Sequence, residues 1–378
     1  MRLAVIRQRY TPFGGAERFL ESALQALVAR DVAVTLYTRE WGAAAPPGIR
    51  PRIVDPPYIG GLWRDSGFAR AVCRALAEDA AALVQSHERV ACCDIFRAGD
   101  GVHAAWLDER LRHLGPMRRL AIRISPHHRY RLAAERRMYA SPRLRAVICN
   151  SNMVRDDIRA RFDVPDARLH VIYNAVDTAR FRPELRAHRA DVRLRHGIPA
   201  HATVYLHVGS GFERKGVRTS IDALAALPAP AHLIVVGGDK HAERYARHAL
   251  ARGLAGRVTM AGPQGDPGPY FGAADAFVLP TLYDPCPNAA LEAMACALPI
   301  VTSTRSGAAE LALEHDAGLV CAPADAAQLA AQMRSLEDPA LRARMGSNGR
   351  RAVLPLTSSA MTSRLVALYG DLLADRSG

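Results

Sequence analysis

The sequence predicts an α/β protein built from two doubly wound domains in tandem. Three observations predict it. Short apolar runs of strand length alternate with helix-length segments, first over residues 3–174 and again over 203–322. The 378 residues are enough for two hydrophobic cores. A composition 49% hydrophobic and 23% charged excludes a disordered or collagen-like chain.

LAVIRQR (3–9) reads as a buried strand, followed by the turn YTPFGG. Ala16, Phe19, Leu20, Ala23, Leu24, Leu27 and Val28 then recur at helical spacing on one face. Further strands are expected at VAVTLYT (32–38), ALVQS (82–86), DIFRAG (94–99), AVICN (146–150) and HVIYN (170–174). With helices between them, they describe a parallel sheet covered on both faces. The pattern restarts with TVYLHV (203–208), HLIVVGG (232–238), VTMAG (258–262), AFVLP (276–280), PIVTS (299–303) and GLVCA (318–322). NAVDTARFRPE, near 174–185, has the proline and turn residues of a linker. The expected domains are 1–175 and 176–356. Residues 357–378 add a last amphipathic helix (Met361, Leu365, Leu368, Leu372) able to pack on either. In open α/β sheets ligands sit beyond the carboxyl ends of the strands, so two such domains facing each other would make a cleft.

The N-terminal apolar run is short and broken by Arg7, unlike a signal peptide, and no stretch approaches the roughly 18 apolar residues of a membrane span. These features read as a cytoplasmic protein. Seven scattered cysteines with no CxxC pair speak against a disulfide framework and a zinc site, leaving small buried hydrophobes. The net charge of +13 is uneven: residues 1–175 hold 28 Arg against 18 acids, net +10. Within them, 110–145 carries 11 Arg against one acid, Glu135, a local field that attracts nucleic acid, anionic lipid or a phosphorylated substrate. The plain alternative is a solvated helix face in an arginine-rich chain. A nucleic-acid role calls for aromatics interleaved with the arginines, and only Trp106, Tyr130 and Tyr139 lie in or beside the stretch.

Three loops have the residue types of a phosphate or sugar site. TPFGGAER (11–18) puts Gly14 and Gly15 between a strand and a helix, where bare backbone amides can approach an anion; Glu17 and Arg18 follow. VGSGFERKG (208–216) begins with Gly209-x-Gly211, but Arg214 stands where a dinucleotide fingerprint needs its third glycine. Arg214 and Lys215 instead offer two cations suited to a diphosphate, unless they form only a solvated turn. In TLYDPCPNAALEAMACALPIVTS (281–303), Asn288 is a fitting N-cap for the helix that follows. That helix would aim its amides at an anion, and Asp284 and Glu292 can accept from sugar hydroxyls. Asp100 and His103, in AGDGVHAAW after a predicted strand, are candidates to contact a reacting sugar. No Asp-x-Asp ends a strand, so no metal site is expected.

Asp284-x7-Glu292 in its setting resembles the Glu-x7-Glu motif of the family 4 retaining glycosyltransferases. The resemblance extends through the opening strand–FGG–helix, NSNMVRDDI (150–158), VIYNAVDTARF (171–181) and GSGFERKG (209–216). RYTPFGGAERF and the segment from GDGVHAAWLDER to RYRLAAERRMY look most like lipopolysaccharide-core glucosyltransferases. The resemblance implies the GT-B fold, two Rossmann-like domains facing across a cleft. It implies that the N-terminal domain holds the acceptor and the C-terminal domain a nucleotide-sugar, with UDP-glucose expected, and that the sugar is transferred with retention.

By the same resemblance, Arg214 and Lys215 contact the donor diphosphate and Gly14 and Gly15 approach it. Glu292 holds the ribose, and the backbone of Pro287, Asn288, Ala289 and Ala290 faces phosphate or sugar. Asp284, one methylene shorter than the family's glutamate, lies near the donor sugar. The last helix is expected to cross back to the N-terminal domain. The acceptor implied is a lipopolysaccharide-core or related envelope glycan, with 110–145 docking on the anionic inner face of the inner membrane. No cofactor is expected, the nucleotide-sugar being a substrate. Two alternatives remain at this stage: a nucleotide-sugar epimerase of the same fold, and a non-catalytic basic binder of membrane or nucleic acid.

Overall fold

The computed structural model describes residues 2–10, 27–29, 31–41, 48–79 and 83–374. Gly14, Gly15, Glu17, Arg18 and most of the helix expected over 16–28 lie outside the described residues. The chain divides into two compact units, Met1–Ala175 with Ser358–Gly378, and Val176–Thr357.

The first unit holds strands β1 (Arg2–Ile6), β2 (Ala33–Thr38), β3 (Ile49–Ile53), β4 (Leu83–Ser86), β5 (Ile95–Arg97), β6 (Ala146–Cys149) and β7 (Leu169–Val171). They form one parallel sheet in the order β3-β2-β1-β4-β5-β6-β7. The interior strand β1 places Leu3, Ala4, Val5 and Ile6 in the core, as a strand covered on both faces must. Strand β3, IRPRI, alternates apolar Ile49, Pro51 and Ile53 with Arg50 and Arg52, but it is short and carries a proline at its centre, and the sequence analysis does not name it as a strand. It lies at the sheet edge, the place where a strand tolerates proline. A two-residue parallel pair, Arg9–Tyr10 with Glu40–Trp41, was likewise not anticipated.

The helices of this unit are α1 (Gly60–Ala77), α2 (His103–Arg112), α3 (Pro116–Ile124), α4 (Pro126–Tyr139) and α5 (Asn152–Arg159). Prolines open α3 and α4, where a missing N–H is harmless, and Ser125 caps α4 by accepting from the His128 amide. The cysteine reading needs correcting. Cys73 on α1 and Cys92 after β4 are joined as a disulfide, while Cys93, Cys149, Cys286, Cys296 and Cys321 are free and buried. Spacing of 19 residues carries no local sign of the pairing; the packing of α1 against the sheet creates it.

The second unit has strands β8 (Val204–Val208), β9 (His232–Val236), β10 (Val258–Gly262), β11 (Ala276–Leu279), β12 (Ile300–Ser303) and β13 (Gly318–Cys321), also parallel, in the order β10-β9-β8-β11-β12-β13. Its helices are α6 (Arg189–Arg195), α7 (Phe212–Lys215), α8 (Val217–Ala225), α9 (Ala242–Ala251), α10 (Gly268–Ala273), α11 (Asn288–Ala295), α12 (Ala308–Glu314), α13 (Ala326–Ser335) and α14 (Pro339–Val353). One buried cluster, including Tyr205, Ile221, Leu233, Val278 and Leu329, joins sheet and helices.

The final helix, α15 (Ser358–Ala374), belongs to the first unit. Met361, Leu365, Leu368, Tyr369 and Leu372 bury their side chains among Leu3, Val5, Val34, Leu36, Ile95 and Ile148. Tyr369 donates its hydroxyl to Gln85 Oε1 at 2.6 Å within that core.

Candidate active site

In the second sheet the chain leaves β8 toward β9 on one side and continues from β11 toward β12 on the other. The reversal opens a crevice beyond the carboxyl ends of β8 and β11. The loops that follow these strands, 209–216 and 280–287, therefore meet. Gly216, at φ +80°, is the residue that permits it: a Cβ there would lie 2.1 Å from the Pro280 carbonyl oxygen. The Arg214 carbonyl then accepts from Thr281 Oγ1 and from the Leu282 amide, both at 2.8 Å.

This docking gathers the charged side chains. Arg214 Nη1 donates to Asp284 Oδ2 at 3.2 Å and to the Tyr283 carbonyl at 3.3 Å. Lys215 Nζ forms an ion pair with the same Asp284 oxygen. The lysine stem passes over Gly209, where a Cβ would stand 3.1 Å from Lys215 Cε. Asp284 is itself fixed through its backbone: its amide donates to the Arg305 carbonyl and its carbonyl accepts from Gly307, both at 2.9 Å. Burial works against the Asp284 carboxylate, but Lys215 and Arg214 outweigh it and hold the carboxyl below its ordinary range. Burial pushes the Lys215 ammonium down, and Asp284 and Glu292 oppose that push.

Helix α11 starts one residue away from the expected place. Pro287, with extended backbone, is the N-cap and gives no side-chain hydrogen bond; Asn288 is the first helical residue rather than the cap. Its first turn leaves amides unsatisfied by the helix itself. The Ala290 amide is not among them, since it donates to the Pro287 carbonyl at 3.0 Å and the Ala290 side chain is buried. Asn288 and Ala289 are half-buried, as is Glu292 in the second turn.

The first unit treats its two candidates differently. Asp100 is exposed on the turn after β5. His103 begins α2, is 4% exposed, and its Nε2 is 3.2 Å from His128 Nδ1. Burial, reinforced by Arg131 and Arg89, pushes its pKa down to about 2, so the ring is a neutral wall residue. Glu135, the one acid of the arginine-rich stretch, points inward. It is 1% exposed and accepts from the His103 amide (2.8 Å), the Ala104 amide (3.2 Å) and Arg89 Nε (3.0 Å), which satisfies the N-terminus of α2. Arg112, Arg118, Arg119, Arg123, Arg129, Arg136, Arg137 and Arg143 remain exposed. Sequence reasoning missed this role of Glu135, although a single carboxylate inside a basic run is itself a signal of an internal partner.

Comparison with known proteins meets this geometry. The Glycosyltransferase Family 4 profile matches residues 13–180, and the profile for Glycosyl transferases group 1 matches residues 189–352, which contain Arg214, Lys215, Asp284 and Glu292. The chain belongs to the family 4 glycosyltransferases. This glycosyltransferase is 28% identical to a probable transglycosylase of Burkholderia thailandensis, over 96% of this chain and 95% of the relative. It is 25% identical to the lipopolysaccharide glucosyltransferase WaaG of Escherichia coli, over 93% of each. Its fold is that of the WaaG crystal structure, with a TM-score of 0.83 at 24% identity, covering 97% of this chain and 99% of that one. That likeness makes the fold GT-B. Anabaena HepE, solved in complex with UDP-glucose, shares the fold at a TM-score of 0.73 and 20% identity, over 98% of this chain and all of that one.

Proposed function

We propose that this glycosyltransferase moves glucose from UDP-glucose to a lipopolysaccharide-core or related cell-envelope glycan, with retention and without a metal. The observation that carries the reading is the convergence of Arg214 and Lys215 on Asp284, beside the first turn of α11. Breaking the bond between an anomeric carbon and a diphosphate puts negative charge on the leaving group. Cations and helix amides fixed in advance stabilise that charge without reorganising, and this is typically the largest catalytic contribution. Here two side-chain cations do the work that a divalent ion does elsewhere. With attack on the same face as departure, the acceptor hydroxyl forms the new glycosidic bond, the sugar–phosphate bond breaks, and the hydroxyl proton passes to the departing phosphate oxygen. The choice of donor draws on the WaaG relative, named a glucosyltransferase, and on the UDP-glucose complex of HepE.

The same reading has the chain act at an anionic membrane surface. Helix α3 supports it: none of its residues is buried, and Met117, Leu120 and Ile124 are 81%, 56% and 63% exposed at helical spacing. Arg118, Arg119 and Arg123 flank them, the composition of a helix that lies in a lipid interface. No helix among the described residues is long and apolar enough to cross a membrane.

A thermal-shift screen across UDP-, GDP- and ADP-sugars, with and without a chelator, tests the donor. A ligand at 100 times its Kd stabilises by about 2.7 kcal/mol. UDP-glucose should stabilise the wild type in chelator and fail to stabilise the Arg214→Ala/Lys215→Ala double variant. Stabilisation by GDP- or ADP-sugars alone overturns the donor assignment, and an inverted product anomer by NMR overturns retention.

A further inference from the structure

Beside the cluster of Arg214, Lys215 and Asp284 lies a histidine that the proposed transfer does not use. His207 stands in the interior strand β8, opposite Val235 of β9, and is fully buried at 0% exposure. Its Nδ1 is 3.3 Å from Ser220 Oγ on α8, and Ser220 Oγ donates to the Gly216 carbonyl at 3.4 Å. With the serine proton spent there, its oxygen accepts from Nδ1–H. That assigns the tautomer and leaves Nε2 a bare acceptor. Nε2 is buried and has no hydrogen-bond partner among the described residues. An unpaired buried acceptor costs stability that an apolar side chain would not.

Lys215 is the neighbour that gives this nitrogen a use. Alternate residues of a strand share a face, so Gly209 follows His207 on the side where Ser220 sits. The Lys215 stem runs over that position: a Gly209 Cβ would meet its Cε, Cδ and Cγ at 3.1, 3.3 and 3.4 Å. The lysine charge also reaches the imidazole. Burial first, and then Lys215, push the His207 pKa down to about 3, so the ring is neutral wherever Lys215 titrates. Around the ammonium, Asp284 from the loop after β11 and Glu292 from α11 favour the charge, while burial and Arg214 oppose it. His207 adds a neutral dipole to this set.

We propose that His207 is a positioning residue for Lys215: its bare Nε2 turns the negative end of a neutral imidazole toward the ammonium, keeping Lys215 charged and seated on Asp284. A cation taken out of water gains from a fixed dipole that replaces the solvent, and a ring already held by Ser220 need not reorganise. The consequence for glycosyl transfer rests on the donor reading above; the coupling of His207 to Lys215 does not.

The test reads the lysine directly. The chain contains two lysines, Lys215 and Lys240, so the full chain labelled with 13C at lysine Cε gives two NMR resonances, which Lys240→Arg assigns. In His207→Phe, Lys215 should titrate about 1 pH unit or more lower than in the wild type, with Lys240 unmoved. His207→Gln, which keeps an acceptor, should restore most of the difference. Ser220→Ala, which frees the ring, should shift Lys215 in the same direction by less. In turnover of UDP-glucose the alkaline limb of His207→Phe should move to lower pH with the titration, and His207→Phe should bring no limb back in a Lys215→Arg background. A Lys215 titration unchanged or raised in His207→Phe, or lowered as far in His207→Gln as in His207→Phe, overturns the proposal. Should His207→Phe not fold, Ser220→Ala decides, and an unchanged titration there overturns it. A shifted titration in a chain that does not turn over UDP-glucose counts against the donor reading and leaves the coupling standing.

Discussion

Lys215 Nζ and Arg214 Nη1 converge on the same atom, Asp284 Oδ2. One carboxylate therefore presets the spacing of two cations, and the three charges sum to +1. On the proposed donor reading, removing either cation should act on the chemical step, in which the leaving group acquires its charge. Arg214→Ala and Lys215→Ala are each expected to lower kcat by about 100-fold or more, from a loss of about 2.7–4 kcal/mol of transition-state stabilisation. Steady-state transfer assays decide it: variants that raise only the donor KM would assign the cations to uniform binding.

The same pair sets an alkaline limit. Burial lowers the Lys215 pKa from that of an ordinary lysine, so the ammonium loses its proton at a lower pH than usual. On the proposed donor reading, loss of that proton removes a positive charge from the leaving-group site, so activity should fall as pH rises. The alkaline limb of kcat/KM for the donor should begin below the ordinary lysine value of about 10.4. Lys215→Arg, which stays protonated throughout, should carry the limb out of the measurable range. A limb unchanged in Lys215→Arg belongs to another group.

A buried ion pair holds the second unit together. Arg193 and Asp275 side chains are each 4% exposed, joined at 2.8 Å, and Asp275 also accepts from the Val204 amide at 2.8 Å and pairs with Arg189. Asp275→Ala leaves the Arg193 charge buried with only the carbonyls of Ala200, Ala202 and Ala273 as partners and should cost about 3–5 kcal/mol in urea unfolding at neutral pH. Burial tends to raise the Asp275 carboxyl, but the Val204 amide and the two arginines bring it below its ordinary value. Its contribution is therefore present above the unfolded value of about 3.9 and fades as pH falls through the lower folded value. The gap between wild type and variant should close over that acid range.

The strands of both sheets were legible because a parallel strand covered on two faces is written as an unbroken apolar run, as in AVICN and HLIVV. Strand β3 was not, because an edge strand with arginines on it carries no such constraint. Arg214, Lys215, Asp284 and Glu292 stood out as candidates by residue type in two loops shaped by glycines and prolines, and the roles given to them rest on the family resemblance. Pro287 displaced Asn288 from the cap, a competition between two plausible N-terminal residues that sequence alone does not rank. His103 read as a cleft residue because it follows a strand, and only the packing of Trp106 and His128 around it shows that the ring is enclosed.

The cysteines make a counting prediction. Burial pushes the thiols of Cys93, Cys149, Cys296 and Cys321 up to about 12, and Cys286 is buried as well. Such thiols are inert toward a disulfide reagent in the native protein. Unfolded without reductant, the chain should titrate the five free cysteines; after reduction it should titrate all seven. Seven thiols before reduction would show that Cys73 and Cys92 are not joined in solution.

The inward turn of Glu135 has a consequence at the surface. With that carboxylate satisfying α2 and Arg89, no acid among the described residues pairs with the exposed arginines of α3 and α4, and the exposed apolar stripe of α3 lies among them. Attraction to an anionic surface contributes about 1 kcal/mol per arginine close to it, whereas burial of Leu120 and Ile124 in the interface contributes independently of lipid charge. The two contributions separate experimentally. Sedimentation with vesicles containing anionic lipid should retain the protein at low salt and release it as salt rises, since the field decays over about 10 Å at 0.1 M. Leu120→Glu with Ile124→Glu should reduce binding at every salt concentration, while Arg118→Gln with Arg119→Gln and Arg123→Gln should flatten the salt dependence. Equal retention on neutral and anionic vesicles would assign the contact to the apolar stripe alone, and no retention at low salt would remove the membrane from the account of this enzyme.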